Sequence, residues 1–135
     1  MVQSQGMEMK IGEVARLADV TVDTVRYYER RGVIGIARRQ PSGYRIYLPD
    51  SVDRIRLARR LQALGMTLDE IVDALRAHDS GGATCDSERW RLEAVRQRIQ
   101  VKLDELGALK DLLDATLSRC DSEDCDFQNL KPSPD

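Results

Sequence analysis

The sequence predicts a mainly α fold. A winged helix-turn-helix unit with a small β-hairpin wing comes first, then one long antiparallel coiled-coil helix and a short C-terminal loop that carries a cysteine. Three observations predict it. Apolar residues recur at helical spacing in two short neighbouring segments, residues 11–20 and 21–34. The turn signal Pro41-Ser42-Gly43 sits beside a short alternating segment. From Leu92 onwards a heptad places Leu92, Ile99, Leu106 and Leu113 at a, with Val95 and Leu109 at d.

Length and composition bound what such a chain can be. Its 135 residues suffice for about one domain, and 33% charged with 4% aromatic residues suits exposed helices better than a large β core. It has neither a long uncharged apolar run nor the apolar core of a signal peptide, so the expectation is a cytoplasmic protein with no membrane partner. Three cysteines in a reducing compartment read as thiols or metal ligands rather than a disulfide framework. The net charge of -2 hides a gradient: residues 1–65 carry 12 basic against 7 acidic residues, residues 66–135 carry 9 against 16. The front half is therefore the candidate for phosphate contact. An enzyme has little to stand on, with His78 as the one histidine, no glycine-rich phosphate loop and no nucleophile beside a visible base.

Taken in order, the first eight residues are polar and featureless. Ile11, Val14, Ala15 and Leu17 then mark a helix that turns at Asp19-Val20. Thr21 is the expected N-cap of a second helix, with Val22, Val25 and Tyr28 on one face and Gly32 as its stop. As the reader of a helix-turn-helix it would present Thr21, Asp23, Thr24, Arg26 and Tyr27 to a major groove. Two short helices also occur in any α protein, with Arg26, Arg30 and Arg31 as plain surface charge. The hairpin that follows weighs against that: Tyr44, Ile46 and Leu48 alternate with Arg45 and Tyr47, and the wing carries Arg38, Arg39 and Arg45. Pro49-Asp50-Ser51 opens a third helix with Val52, Ile55, Leu57, Leu61 and Leu64 as its apolar stripe and Gly65 as its end. Thr67 and Glu70 have capping-box spacing for a fourth helix ending near His78, and residues 79–82 break the chain.

The long helix should run from Cys85 to Cys120, with Cys125 shortly after it. Counting by sevens from Leu92 reaches Cys85 and Cys120, while Lys102 at d breaks the pattern. Thirty-five residues of helix hold those thiols on the order of 50 Å apart, so one chain cannot close a site with both. An antiparallel partner helix would bring Cys85 of one subunit beside Cys120 and Cys125 of the other. On spacing alone, small apolar residues on a coiled-coil seam account for both cysteines equally well.

The segments KIGEVARLADVTVDTVRYYERRGVI and GYRIYLPDSVDRIRLARRLQALGMTLDEI, followed by a long coiled-coil helix, resemble the MerR family of bacterial transcriptional regulators. The resemblance implies three parts: a winged helix-turn-helix DNA-binding domain over 8–79, a dimerisation coiled-coil helix over 84–120, and a metal-binding loop and tail over 120–135. It implies a homodimer on a palindromic operator within an overlong promoter spacer, holding RNA polymerase there until an effector makes the dimer bend and untwist the DNA. By position, Arg16, Thr21, Thr24, Arg26, Tyr27, Tyr44 and Arg45 would contact DNA, mostly at phosphate, with Arg26 the residue for a base or groove contact.

In the metal-sensing branch of that family, a cysteine at the start of the long helix marks sensors of divalent ions, and here that residue is Cys85. The resemblance therefore implies Cys85, Cys120 and Cys125 as thiolate ligands to a divalent soft metal ion shared between subunits. Three thiolates without a nitrogen favour mercury, cadmium or lead, with zinc as a further option. The loop CDSEDCDF is shorter than in the mercury, lead and zinc members, which leaves the ion open, as it does a part for Asp121, Glu123, Asp124, Asp126 or His78. The alternative is a thiol redox sensor in which Cys120 and Cys125 form a disulfide without metal. An iron-sulfur sensor would want four cysteines, and a drug sensor a further C-terminal domain.

Overall fold

The computed structural model describes residues 8–122 and Ser133. The chain forms two compact units, one up to Leu92 and one from Glu93. In order the elements are α1 (Ile11–Ala18), α2 (Val22–Arg31), β1 (Arg38–Arg39), β2 (Arg45–Ile46), α3 (Asp50–Ala63), α4 (Leu68–Asp79) and α5 (Cys85–Asp121). Among the described residues no helix is long and apolar enough to cross a membrane.

The first unit is built by short helices with strong end signals. α1 buries Val14, Ala15 and Ala18, spaced to share one face, and ends at Asp19, which adopts the left-handed conformation at φ 57°. Aspartate tolerates that region better than most residues, because its short polar side chain can bond locally. The Thr21 hydroxyl accepts the Thr24 amide at 3.1 Å and so caps α2. At the other end Gly32 takes φ 89°, and its N–H and that of Val33 return to the carbonyls of Glu29 and Tyr28. α1 packs on both α2 and α3, and α3 on α4. The core between them holds Val14, Val25, Val33, Ile55 and Ile71, all fully buried. Each such side chain contributes about 1.5–3 kcal/mol relative to exposure.

The wing departs from the simple alternation. β1 and β2 pair antiparallel, Arg38 opposite Ile46 and Arg39 opposite Arg45, around a turn in which Gly43 has φ 91°. Tyr44 and Leu48 are exposed, whereas Ile46 and its neighbour Tyr47 are both buried. The reason is that the strand is only two residues long. Beyond it Tyr47 makes an isolated bridge with Met9, exchanging both backbone bonds at 2.8 and 3.3 Å, and its ring turns into the core.

The third helix also differs from its expected stripe. α3 buries Ser51, Val52, Ile55 and Ala58, while Leu64 is 57% exposed. Leu64, the C-cap, keeps the helical bond to the Arg60 carbonyl, and helical geometry turns it to the side opposite the buried Ile55 before Gly65 turns the chain at φ 101°. α4 carries the full capping box: Glu70 N–H donates to the Thr67 hydroxyl at 3.2 Å, and Thr67 N–H donates to Glu70 Oε1 at 2.8 Å. Arg54 of α3 ties the unit together, donating to the Val33 carbonyl at 2.7 Å and bidentately to Asp79 at 2.8 and 3.0 Å. That pairing holds the Asp79 carboxyl below the usual aspartate range.

α5 runs for 37 residues. Thr84 is its cap: Ser87 N–H donates to the Thr84 hydroxyl at 3.0 Å and Thr84 N–H to Ser87 Oγ at 2.9 Å. Nearby, Arg91 is held by Asp73 of α4 at 2.6 Å. In the second unit the helix leaves Ile99, Leu103, Leu106, Leu109, Leu113 and Leu117 exposed. Val95, expected on the seam, is buried in the single chain. From Ile99 one apolar spacing runs 99, 103, 106, 113, 117, 120; it passes beside Lys102 and meets Lys110, whereas Leu109 keeps the heptad place counted from Leu92. The spacing 92, 95, 99, 103, 106 has the form of a stutter, which bypasses Lys102 and brings Lys110 onto the stripe.

Candidate functional site

The reader helix and the wing enclose a cleft of about 230 Å³ lined by Ile11, Arg26, Arg39, Gly43, Tyr44, Arg45 and Tyr47. Three of the seven expected DNA-contacting residues, Arg26, Tyr44 and Arg45, therefore line one cleft together. Arg26 is half exposed and its contact with Asp23 is a 3.3 Å pair within one helical turn. Such a pair is weak in water and leaves the guanidinium available. Tyr44 stands at the wing tip, 62% exposed, with Lys10 Nζ 5.3 Å from its ring centroid.

The remaining four expected residues lie outside the cleft lining. Arg16 is exposed in the last turn of α1, 3.9 Å from Glu13. Thr21 and Thr24 are bound to each other, hydroxyl to hydroxyl at 2.8 Å, so one hydroxyl hydrogen is shared between them and one is left for an outside acceptor. Tyr27 Oη accepts from Arg31 Nη1 at 2.8 Å and keeps its own hydrogen to donate. Its ring is flanked by the Arg30 and Arg31 guanidinium groups, 5.8 and 5.7 Å from the centroid. Arg31 in turn is paired with Asp69 of α4, and Arg38 of the wing with Glu8 at 2.6 Å.

Several supporting residues were not apparent in the sequence. Arg56 and Arg59 of α3 donate to the carbonyls of Leu17 at 2.7 Å and Asp19 at 2.8 Å, so they cap α1 and fix the turn before the reader helix. A basic helix face alone carries no sign of that role. Glu29, on the inward side of α2, accepts from Tyr47 Oη at 2.7 Å and from Arg45 Nη1 at 3.3 Å. Its signal was present: it lies four residues after Val25 and next to Tyr28, on the buried face. Burial and the neighbouring Glu29 push the Tyr47 hydroxyl up to about 12, so it remains a donor at ordinary pH.

The thiols are placed on α5 alone. Cys85 is its first residue and exposed, and Cys120 is its next to last and partly exposed. Cys125 and the acidic residues 123, 124 and 126 lie outside the described residues. Among the described residues no group of three or more His, Cys, Asp or Glu side chains gathers where it could hold a metal ion. The thiols present are donors of the type that suits a soft ion, and Cys85 and Cys120, on the first and next-to-last positions of one helix, do not meet within the chain. His78, in the last turn of α4, is exposed.

A helix-turn-helix followed by a hairpin wing that carries Arg38, Arg39 and Arg45 defines the class of winged helix-turn-helix DNA-binding regulators. The sequence matches the family model described as MerR HTH family regulatory protein over residues 9–78, and a second, described as MerR, DNA binding, over residues 52–116. The chain belongs to the MerR family of transcriptional regulators. It is 36% identical over 115 residues to the mercuric resistance operon regulatory protein of Bacillus cereus, covering 84% of this chain and 86% of that one. Among solved structures it is similar to the transcription regulator PbrR691 from Ralstonia metallidurans CH34 in complex with lead(II), with a TM-score of 0.72 and 33% identity, covering 82% of this chain and 86% of that one. It is also similar to EcmrR in the cryo-EM structure of the EcmrR-DNA complex in EcmrR-RPo, with a TM-score of 0.60 and 25% identity, covering 82% of this chain and 40% of that one.

Proposed function

We propose that the protein binds promoter DNA as a homodimer and activates transcription of metal resistance or efflux genes when a divalent soft metal ion binds. The observation that carries this reading is the position of the thiols: an exposed Cys85 opens α5, and Cys120 lies at the far end of the same helix. The exposed apolar stripe of α5 supports the dimer, because a lone helix leaves such a face in water. The similarity to regulators whose names carry mercury and lead supports a metal as the signal.

In this reading Cys85 of one subunit and Cys120 and Cys125 of the other hold the ion. Mercury, cadmium or lead is favoured and zinc is possible. When bound, the ion supplies a link between subunits through thiolate bonds. Arg16, Thr21, Thr24, Arg26, Tyr27, Tyr44 and Arg45 contact the operator, and phosphate contacts by wing and reader helix offset a DNA deformation on the order of a few kcal/mol. RNA polymerase is the partner whose promoter elements that deformation realigns. The three parts of the chain are the DNA-binding domain (8–79), the dimerisation helix (84–120) and the metal loop with the tail (120–135).

In vitro transcription from the cognate promoter, with mercury, cadmium, lead, zinc and copper(I) titrated in parallel, tests this. Activation by at least one divalent ion, abolished by Cys85→Ser, is the expected result. Activation by diamide or peroxide that survives Cys85→Ser would instead mean a thiol redox sensor using Cys120 and Cys125. Arg26→Ala should lose operator binding with the dimer intact.

A further inference from the structure

We propose that Glu29 is a positioning residue for DNA binding, its carboxylate holding the Arg45 guanidinium on the wall of the arginine-lined cleft so that it meets a phosphate already oriented. The proposal rests on the reading of Arg45 as a phosphate contact. Three observations carry it. The Glu29 side chain is only 11% exposed, and a carboxylate so placed is costly unless it is bonded. One of its oxygens, Oε1, receives both the Tyr47 hydroxyl at 2.7 Å and Arg45 Nη1 at 3.3 Å. Arg45 and Tyr47 both line the cleft between α2 and the wing, together with Arg26 and Arg39.

The two bonds to Glu29 do different things. Tyr47 is fully buried and its hydroxyl stays protonated, so it fixes where the carboxylate sits. A neutral acceptor would satisfy that hydroxyl equally well. The negative charge has its use at Arg45, which is about one third exposed and bonded to Glu29 through a single N–H. Four of the five guanidinium N–H donors are not used by that bond. An arginine held in this way has less side-chain freedom to lose when it binds. The same contact joins the reader helix to a hairpin whose strands are two residues each, so it fixes the angle of the wing as well.

A carboxylate beside a phosphate site also repels the phosphate, so the opposite sign of effect is physically available and the experiment decides. Wild type, Glu29→Gln, Arg45→Ala and the double variant are titrated with the duplex that the wild-type chain selects from a random DNA pool, at a series of salt concentrations. Glu29→Gln keeps the volume and an oxygen to accept from Tyr47, and matching unfolding midpoints verify that the fold is kept. Arg45→Ala should weaken binding about tenfold and make the slope of log K against log salt shallower by about one. Glu29→Gln should weaken binding about threefold to tenfold with a shallower slope, and the double variant should bind like Arg45→Ala alone. If Arg45→Ala is costly but Glu29→Gln binds as tightly as wild type or tighter, or if the two losses simply add, the positioning role is overturned. If Arg45→Ala changes nothing, the phosphate-contact reading fails and the proposal fails with it.

Discussion

At the scale of single residues, Tyr47 shows how a polar group is used in this small core. Its ring is fully buried and its hydroxyl donates to Glu29. Its folded pKa is raised from 10.0 to about 12, so its contribution to stability is complete below pH 10 and is lost as pH rises towards 12. Tyr47→Phe should therefore cost about 1 kcal/mol at neutral pH and flatten the alkaline limb of the stability curve. Urea unfolding at neutral pH and at several values between pH 9 and about 12 measures both effects. Tyr47 also shows why the wing was only half legible in the sequence. Alternation assigns a residue to a face on the premise that the strand continues, and β2 stops at Ile46. The ion pair of Arg45 with Glu29 is a contact across 16 positions, and no local pattern encodes it.

Helix ends, by contrast, are local chemistry, and at the scale of elements they are legible in the sequence. Thr21, Gly32, Thr67 and Glu70 all sit where capping rules put them, because each satisfies backbone groups within three or four residues of itself. Thr67→Ala should remove the hydroxyl half of the capping box, leaving the backbone N–H of residue 67 still able to donate to Glu70, and destabilise the first unit by about 1 kcal/mol, read from the shift in chemical denaturation midpoint. The Thr84–Ser87 cap of α5 is hidden in the sequence because serine replaces the usual glutamate or glutamine three residues on. The turn between α1 and α2 was legible as a turn, but what holds it was not: Arg56 and Arg59 reach it from about forty residues away in sequence. In α5 a strict count of seven from Leu92 meets Lys102, whereas the spacing through Leu103 avoids it and meets Lys110 instead. Leu103→Glu should weaken self-association at least about tenfold while Lys102→Glu stays within a factor of about three, as sedimentation equilibrium would show.

For the molecule as a whole, the two units differ in what they carry: the unit up to Leu92 holds the arginine-lined cleft and all of the basic stretch 1–65, and the one from Glu93 holds the long apolar stripe. The thiols belong to both, Cys85 to the first and Cys120 to the second. This has a genetic consequence. If each sensor takes its first cysteine from one copy and the others from its partner, Cys85→Ser and Cys120→Ser should each silence a homodimer. A mixed dimer of the two would gather both lesions at one end and leave three intact cysteines at the other. Cells expressing both defective alleles together should regain part of the metal response that neither allele gives alone, and a reporter assay of the co-expressed pair measures it. Two broken copies of the gene would complement each other because the thiols that work together are encoded at opposite ends of one helix.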